Sequence, residues 1–225
     1  MENDCIYEFL DRIMEQECDV KYKVVANIWK PDYDKAPQKL KDYFNEHGIE
    51  VITTDFNYKT HNKYCNVFQK YKGIPIITLD DDQVYRKDAI QLLWNTHLKN
   101  PATIVAGSCV VPPGRIMPNG KRWRPQPKTG TGKHIGFEPV GSGGVLYPVE
   151  FLQFLQMEDV KNWIMKTPPI ARFDNDMFLF RFAKRRSVRE MVVECEHERQ
   201  TWRGYLVEKS LSTADGETAK TWSKG

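Results

Sequence analysis

The apolar residues of "IYEFLDRIMEQE" (6–17) fall at Ile6, Phe9, Leu10, Ile13 and Met14. That three-and-four spacing draws one helix face and predicts a helix there. "YKVVANIW" (22–29) is a short apolar run closed by Pro31, the pattern of a strand. "APQKLKDYFNEHG" returns to helical spacing, with Gly48 placed to cap its C-terminus. The alternation continues: strand "IEVITT" (49–54), helix "THNKYCNVFQKYKG", strand "IPIITL" (74–79), helix "KDAIQLLWNTHLKN" and strand "ATIVAGSCVV" (102–111). Strands alternating with helices predict βαβ units and an α/β fold with a mainly parallel sheet covered on both faces.

The regularity stops after residue 111. "VPPGRIMPNGKRWRPQPKTGTGKHIGFEP" is rich in Pro, Gly and basic residues, as expected of a functional lid or a poorly ordered loop. "VGSGGVLYP" follows, then helices near "VEFLQFLQME" and over "NDMFLFRFAKRR", and a late strand in "SVREMVVECE". Residues 211–225, "LSTADGETAKTWSKG", read as a polar tail or linker, leaving 1–210 as a single domain.

Composition narrows the function classes. A chain of 225 residues suits one domain with a substantial core, and a net charge of +3 gives no ground for a nucleic-acid partner. No apolar run approaches the roughly 20 residues of a membrane span. "MENDCIYEFL" has acids where a signal peptide needs bases. Cysteines at 5, 18, 65, 109 and 195 match neither a disulfide framework nor a CxxC zinc site, so free thiols and a cytoplasmic location, possible beside a membrane, are expected.

The chemistry concentrates where the third strand ends in Asp80, Asp81 and Asp82. Capping and the dipole of a following helix account for one such acid, or two. Three in a row fit a bound Mg²⁺ or Mn²⁺ that shares its coordination with substrate phosphates. Asp174 and Asp176 in "RFDND" form a second acidic cluster, either helix capping or a general base. Gly141, Gly143 and Gly144 permit close backbone approach, yet "GSGGVLYP" is neither a Walker loop nor a dinucleotide fingerprint. Lys121, Arg122, Arg124, Lys128, Lys133 and His134, with Trp123, could hold a diphosphate or stack on a sugar, or form a solvated loop. His197 is a candidate third metal ligand or a structural histidine.

Taken in order, "THNKYCNVF", "IPIITLDDDQVYRKDAI", "GSGGVLYP" and "FDNDMFLF" resemble the nucleotide-sugar glycosyltransferases of the GT-A fold, of the family-2-like, DXD-containing kind that builds surface polysaccharides. The resemblance spans roughly residues 20–195. It implies a Rossmann-like mixed sheet flanked by helices and a metal-dependent transfer from a nucleoside-diphosphate sugar, a UDP-sugar by analogy, to a glycan or other hydroxyl acceptor. By the same resemblance Asp80 lies near ribose or metal, Asp82 ligates Mn²⁺ or Mg²⁺, and Asp81 belongs to the same donor site. Asp176, or Asp174, would take the acceptor's proton. Asn62 and Lys63 would contact the donor, and Gly143 and Gly144 would line the site. The family opens with a strand before its first helix, whereas this chain is expected to begin in the helix.

Two alternatives share these residues. "LDDDQV" also resembles the motif of haloacid-dehalogenase-like phosphatases, with Asp80 as nucleophile and Asp82 as acid/base. A non-catalytic module that binds sugar nucleotides would keep the site without turnover.

Overall fold

The computed structural model describes residues 5–110, 132–134, 138–167, 175–192 and 207–210. Helix α1 (Cys5–Met14) buries Leu10 and Ile13, as its apolar stripe predicts. Strand β1 (Val25–Trp29) runs directly into a short helix α2 (Lys30–Lys35), with Pro31 in its first turn, where a proline costs no hydrogen bond. Helix α3 (Gln38–Glu46) buries Leu40 and Phe44 and stops at Gly48, whose φ of +62° favours a residue without a side chain. β2 (Glu50–Thr54) then pairs in parallel with β1, Asn27 opposite Ile52.

The helix expected over "THNKYCNVFQKYKG" is instead two pieces, a 3-10 turn at Lys59–Lys63 and a single-turn α4 (Val67–Lys70). Asn66 lies between them at φ +68°, a left-handed conformation that interrupts an α-helix and that asparagine tolerates better than most residues. β3 (Ile76–Thr78) leads into the aspartates. The chain does not pass from these to a helix, as expected, but first forms β4 (Gln83–Tyr85), all three residues buried, before α5 (Ala89–Lys99).

The fourth predicted strand is split into β5 (Thr103–Ala106) and β6 (Cys109–Val110). Part of the basic segment is strand β7 (Gly132–His134), so Lys133 and His134 lie in a sheet rather than a loop. β8 (Glu138–Pro139) pairs with β6, and a 3-10 turn at Gly141–Gly143 leads to β9 (Val145–Tyr147). Helices α6 (Val149–Leu152), α7 (Met157–Lys166) and α8 (Asn175–Arg185) follow, and α7 opens with a Gln156/Asp159 capping box that the sequence pattern does not disclose. β10 (Arg189–Val192) and β11 (Val207–Ser210) complete the described elements.

The central sheet has the order β3-β9-β5-β10-β7. β9 lies antiparallel to both β3 and β5, and β10 is parallel to β5 and antiparallel to β7. β3, β5 and β10 therefore run in one direction. The expected mainly parallel character holds for strand direction, while most of the direct ladders are antiparallel because β9 intervenes. β5 and β9 are buried throughout, as strands covered on both faces must be. One apolar cluster joins β3, β5 and β9 to α6, α7 and α8 through Tyr147, Phe151, Val160 and Leu179; another packs α1 and α5 on the opposite face through Ile13, Leu93 and Leu146. β1 and β2 form a separate two-stranded sheet packed under α1 and α3.

Candidate active site

Three segments distant in sequence converge at the C-terminal end of β3: the 3-10 turn carrying Lys63, the aspartate turn, and the first turn of α8 carrying Asp176. Open α/β sheets place ligands at such strand ends. The Lys63 ammonium lies 2.9 Å from Asp80 Oδ1 and 3.8 Å from Asp176 Oδ1, with all three side chains largely buried. Asp176 of the second acidic cluster thus meets Asp80 of the first, with a lysine between them. Burial by itself would lower the Lys63 pKa, but the charges of Asp176, Asp80 and Asp81 outweigh it and hold the amine above the usual lysine range.

Asp176 is held from a second side, since the Gly141 N–H donates to its Oδ2 at 2.8 Å. Its place in the first turn of α8 also puts it at the positive end of the helix dipole, which favours negative charge. Gly141 can be nothing larger without disturbance: a Cβ there would lie 2.4 Å from Lys63 Nζ and 2.7 Å from Asp176 Oδ1. The glycine that touches the Asp176 carboxylate is therefore Gly141. Gly143 is buried in the turn itself, and Gly144, at φ +81°, faces the core, where a Cβ would meet Leu79 at 3.1 Å.

The aspartates differ in environment. The Asp80 N–H donates to the Tyr85 hydroxyl at 2.9 Å, and Gln83 Nε2 donates to Asp82 Oδ1. Asp81 is solvent-exposed, yet the surrounding protein strips enough water to raise its pKa, and the charges of Asp80 and Asp82 raise it further. Beneath the carboxylates Tyr64, Tyr85 and Tyr147 are fully buried, and burial above all keeps their phenols protonated. Asn62 shapes the lysine's turn: its Oδ1 accepts from the Tyr58 N–H at 3.2 Å, and its carbonyl accepts from Asn27 Nδ2. His61, fully buried, contacts the Tyr64 hydroxyl and stacks edge-on against Phe178 of α8, joining the lysine's turn to the helix that carries Asp176.

Asp174, His197 and the basic residues Lys121, Arg122, Arg124 and Lys128 lie outside the described residues, as does Trp123. Of the site residues that sequence reasoning passed over, Tyr85 sits in a three-residue strand with no periodic signal. Gly141 was visible only as one of three clustered glycines.

Among the described residues no three His, Cys, Asp or Glu side chains form a metal cage by themselves. A hard divalent ion needs fewer protein ligands when substrate phosphates complete its shell, and the carboxylates of Asp80 and Asp82 offer oxygen ligands of the kind such an ion takes. The Asp81 pKa is raised first by desolvation and then by the charges of Asp80 and Asp82, and a cation would offset that second part.

An α/β sheet with acidic residues at a strand's C-terminal end, a lysine between carboxylates and a further acid on a later helix has the layout of a GT-A glycosyltransferase. The chain belongs to glycosyl transferase family 2, whose family model matches residues 1–184. It is a glycosyltransferase. No curated protein matches it. The family match gives no support to the phosphatase alternative, and the aspartates follow the third strand with β1 and β2 before them. Among the described residues no helix is long and apolar enough to cross a membrane.

Proposed function

We propose that this glycosyltransferase moves a sugar from a nucleoside-diphosphate donor, a UDP-sugar, to a hydroxyl of a glycan acceptor, with a Mn²⁺ or Mg²⁺ ion at the aspartate turn. The carrying observation is the Asp80–Lys63–Asp176 cluster: a fixed cation and a candidate base joined within one constellation at a strand end.

In this reading the donor's diphosphate lies over the aspartate turn. Asp82, with Asp80, would hold the ion, which when bound neutralises charge on the departing diphosphate. Lys63 adds a second positive charge beside it. Asp176 accepts the proton of the acceptor hydroxyl; the acceptor oxygen bonds to the anomeric carbon, and the bond from that carbon to the diphosphate oxygen breaks, its electron pair leaving with the diphosphate. The Gly141 N–H fixes the Asp176 carboxylate in place for that step. Asp81 adds negative charge beside the ion, and Asn62 supports the turn that presents Lys63. Surface-polysaccharide synthesis is the process this chemistry suits, and residues 1–210 act as one catalytic domain.

Calorimetric titration of UDP, GDP and their sugars, with and without Mn²⁺, tests it on wild type and Asp82→Ala. Metal-dependent UDP binding that disappears in Asp82→Ala is expected. UDP binding unaffected by Mn²⁺ removes the metal, and preference for GDP removes the donor.

A further inference from the structure

Tyr85 is fully buried in β4 and connects two turns that the chain separates by more than fifty residues. Its hydroxyl accepts the Asp80 N–H at 2.9 Å and donates to the Ser142 carbonyl at 3.2 Å. Ser142 sits in the turn whose Gly141 N–H holds Asp176. A neutral relay therefore runs from the aspartate turn through one phenol to the glycine turn and on to Asp176. It parallels the ionic link through Lys63 but does not depend on charge.

The phenol is well made for a fixed strut. A tyrosine loses only two side-chain torsions on ordering, and its ring is wedged between Phe9, edge-on at 6.4 Å, and Gly144, where an added Cβ would stand 3.4 Å from the ring. A phenol hydroxyl can accept and donate at once, as this one does between the Asp80 N–H and the Ser142 carbonyl. Gln83 occupies the same face of β4, two residues earlier, and donates to Asp82. The two inward polar residues of β4 thus hold both outer members of the aspartate turn, while Val84 on the other face is ordinary apolar filling.

We propose that Tyr85 is a positioning residue: it sets the distance between the donor-binding aspartate turn and the carboxylate of Asp176, and so governs turnover rather than donor affinity. This rests on the role given to Asp176 above. A leaving group and a base out of register by a fraction of an ångström lose rate while the donor stays bound.

Hydrogen exchange of the metal-free protein tests the linkage without any substrate. In wild type the Asp80 amide should be protected, and Tyr85→Phe should speed its exchange about tenfold together with the backbone of 141–144. An Asp80 amide that exchanges in wild type at open-loop rates overturns the proposal with no variant needed. Calorimetry and kinetics test the consequence. Tyr85→Phe should bind UDP with Mn²⁺ within about threefold of wild type, yet release UDP from a hydrolysed UDP-sugar about tenfold more slowly at saturation, with KM little changed. Val84→Ala supplies a destabilised control that should keep both the exchange at 141–144 and kcat. Equal losses of kcat in the two variants, in step with Tm, would reduce Tyr85 to packing. If wild type binds no UDP, the donor assignment fails, and exchange alone decides whether Tyr85 couples the turns.

Discussion

The ammonium of Lys63 stands 2.9 Å from a carboxylate oxygen of Asp80 and is positioned there by a 3-10 turn rather than by a regular helix. The same nitrogen faces Asp176 at 3.8 Å. Two acids on separate elements can stay close because one largely buried cation lies against both.

Removing that cation should therefore disturb both acids at once. Lys63→Met keeps the aliphatic stem and loses the charge, at a cost of about 1–2 kcal/mol in the metal-free protein. UDP affinity should fall about tenfold by calorimetry. Lys63→Arg should not restore it, since the backbone at Gly141 leaves little room beside Nζ for a broader guanidinium. Full recovery in the arginine variant would contradict that crowding.

Gly141→Ala makes a different demand on the same place. The clashing atoms are side-chain ends, Lys63 Nζ and the Asp176 carboxylate, so they can swing aside and the fold should survive with Tm lowered by only a few degrees. Turnover should fall about a hundredfold, because the displaced groups are those that hold the base. Wild-type kcat in this variant would show that Asp176 need not be held where it is.

How much of this was legible in the sequence follows from what each feature costs in residues. Asp80–Asp82 and Asp176 stood out because acids closed an apolar strand or preceded an apolar helix, a contrast visible within ten positions. The family resemblance pointed to Lys63 as a donor contact, but its pairing with both acids is a product of tertiary folding. β4 was missed because Gln83–Tyr85 is too short to show a period and its burial comes from pairing with β11 and packing of α1. The split at Asn66 and the antiparallel insertion of β9 depend on one dihedral and one connection, neither of which leaves a hydrophobic pattern.

Asp176→Asn should separate chemistry from binding. Loss of the proton acceptor is expected to lower kcat about a thousandfold, with UDP and Mn²⁺ still bound within a few-fold. Asp174→Asn should cost far less. The reverse ranking would transfer the base to Asp174.

Asp81 gives a pH signature. Its pKa is raised in the folded chain, so the folded state holds that proton more tightly than the unfolded one. The protonated form is then the stable one. Stability is lost as pH rises from the unfolded carboxylate's range toward the raised folded value, and the full penalty persists at neutral pH. Asp81→Asn removes the penalty, so the metal-free variant should melt above wild type at pH 7, by on the order of 1–2 °C given the exposure of the group. The difference should shrink toward zero near the bottom of the carboxylate range, where Asp81 is protonated in both states. Adding Mn²⁺ with UDP should reverse the pH 7 order, because the bound charge then favours the ionised aspartate. Thermal melts in chelator at two pH values, repeated with UDP and Mn²⁺, carry the test. A variant that melts below wild type in chelator at pH 7 would mean that Asp81 is already stabilised by protein contacts and that its charge does not await a cation.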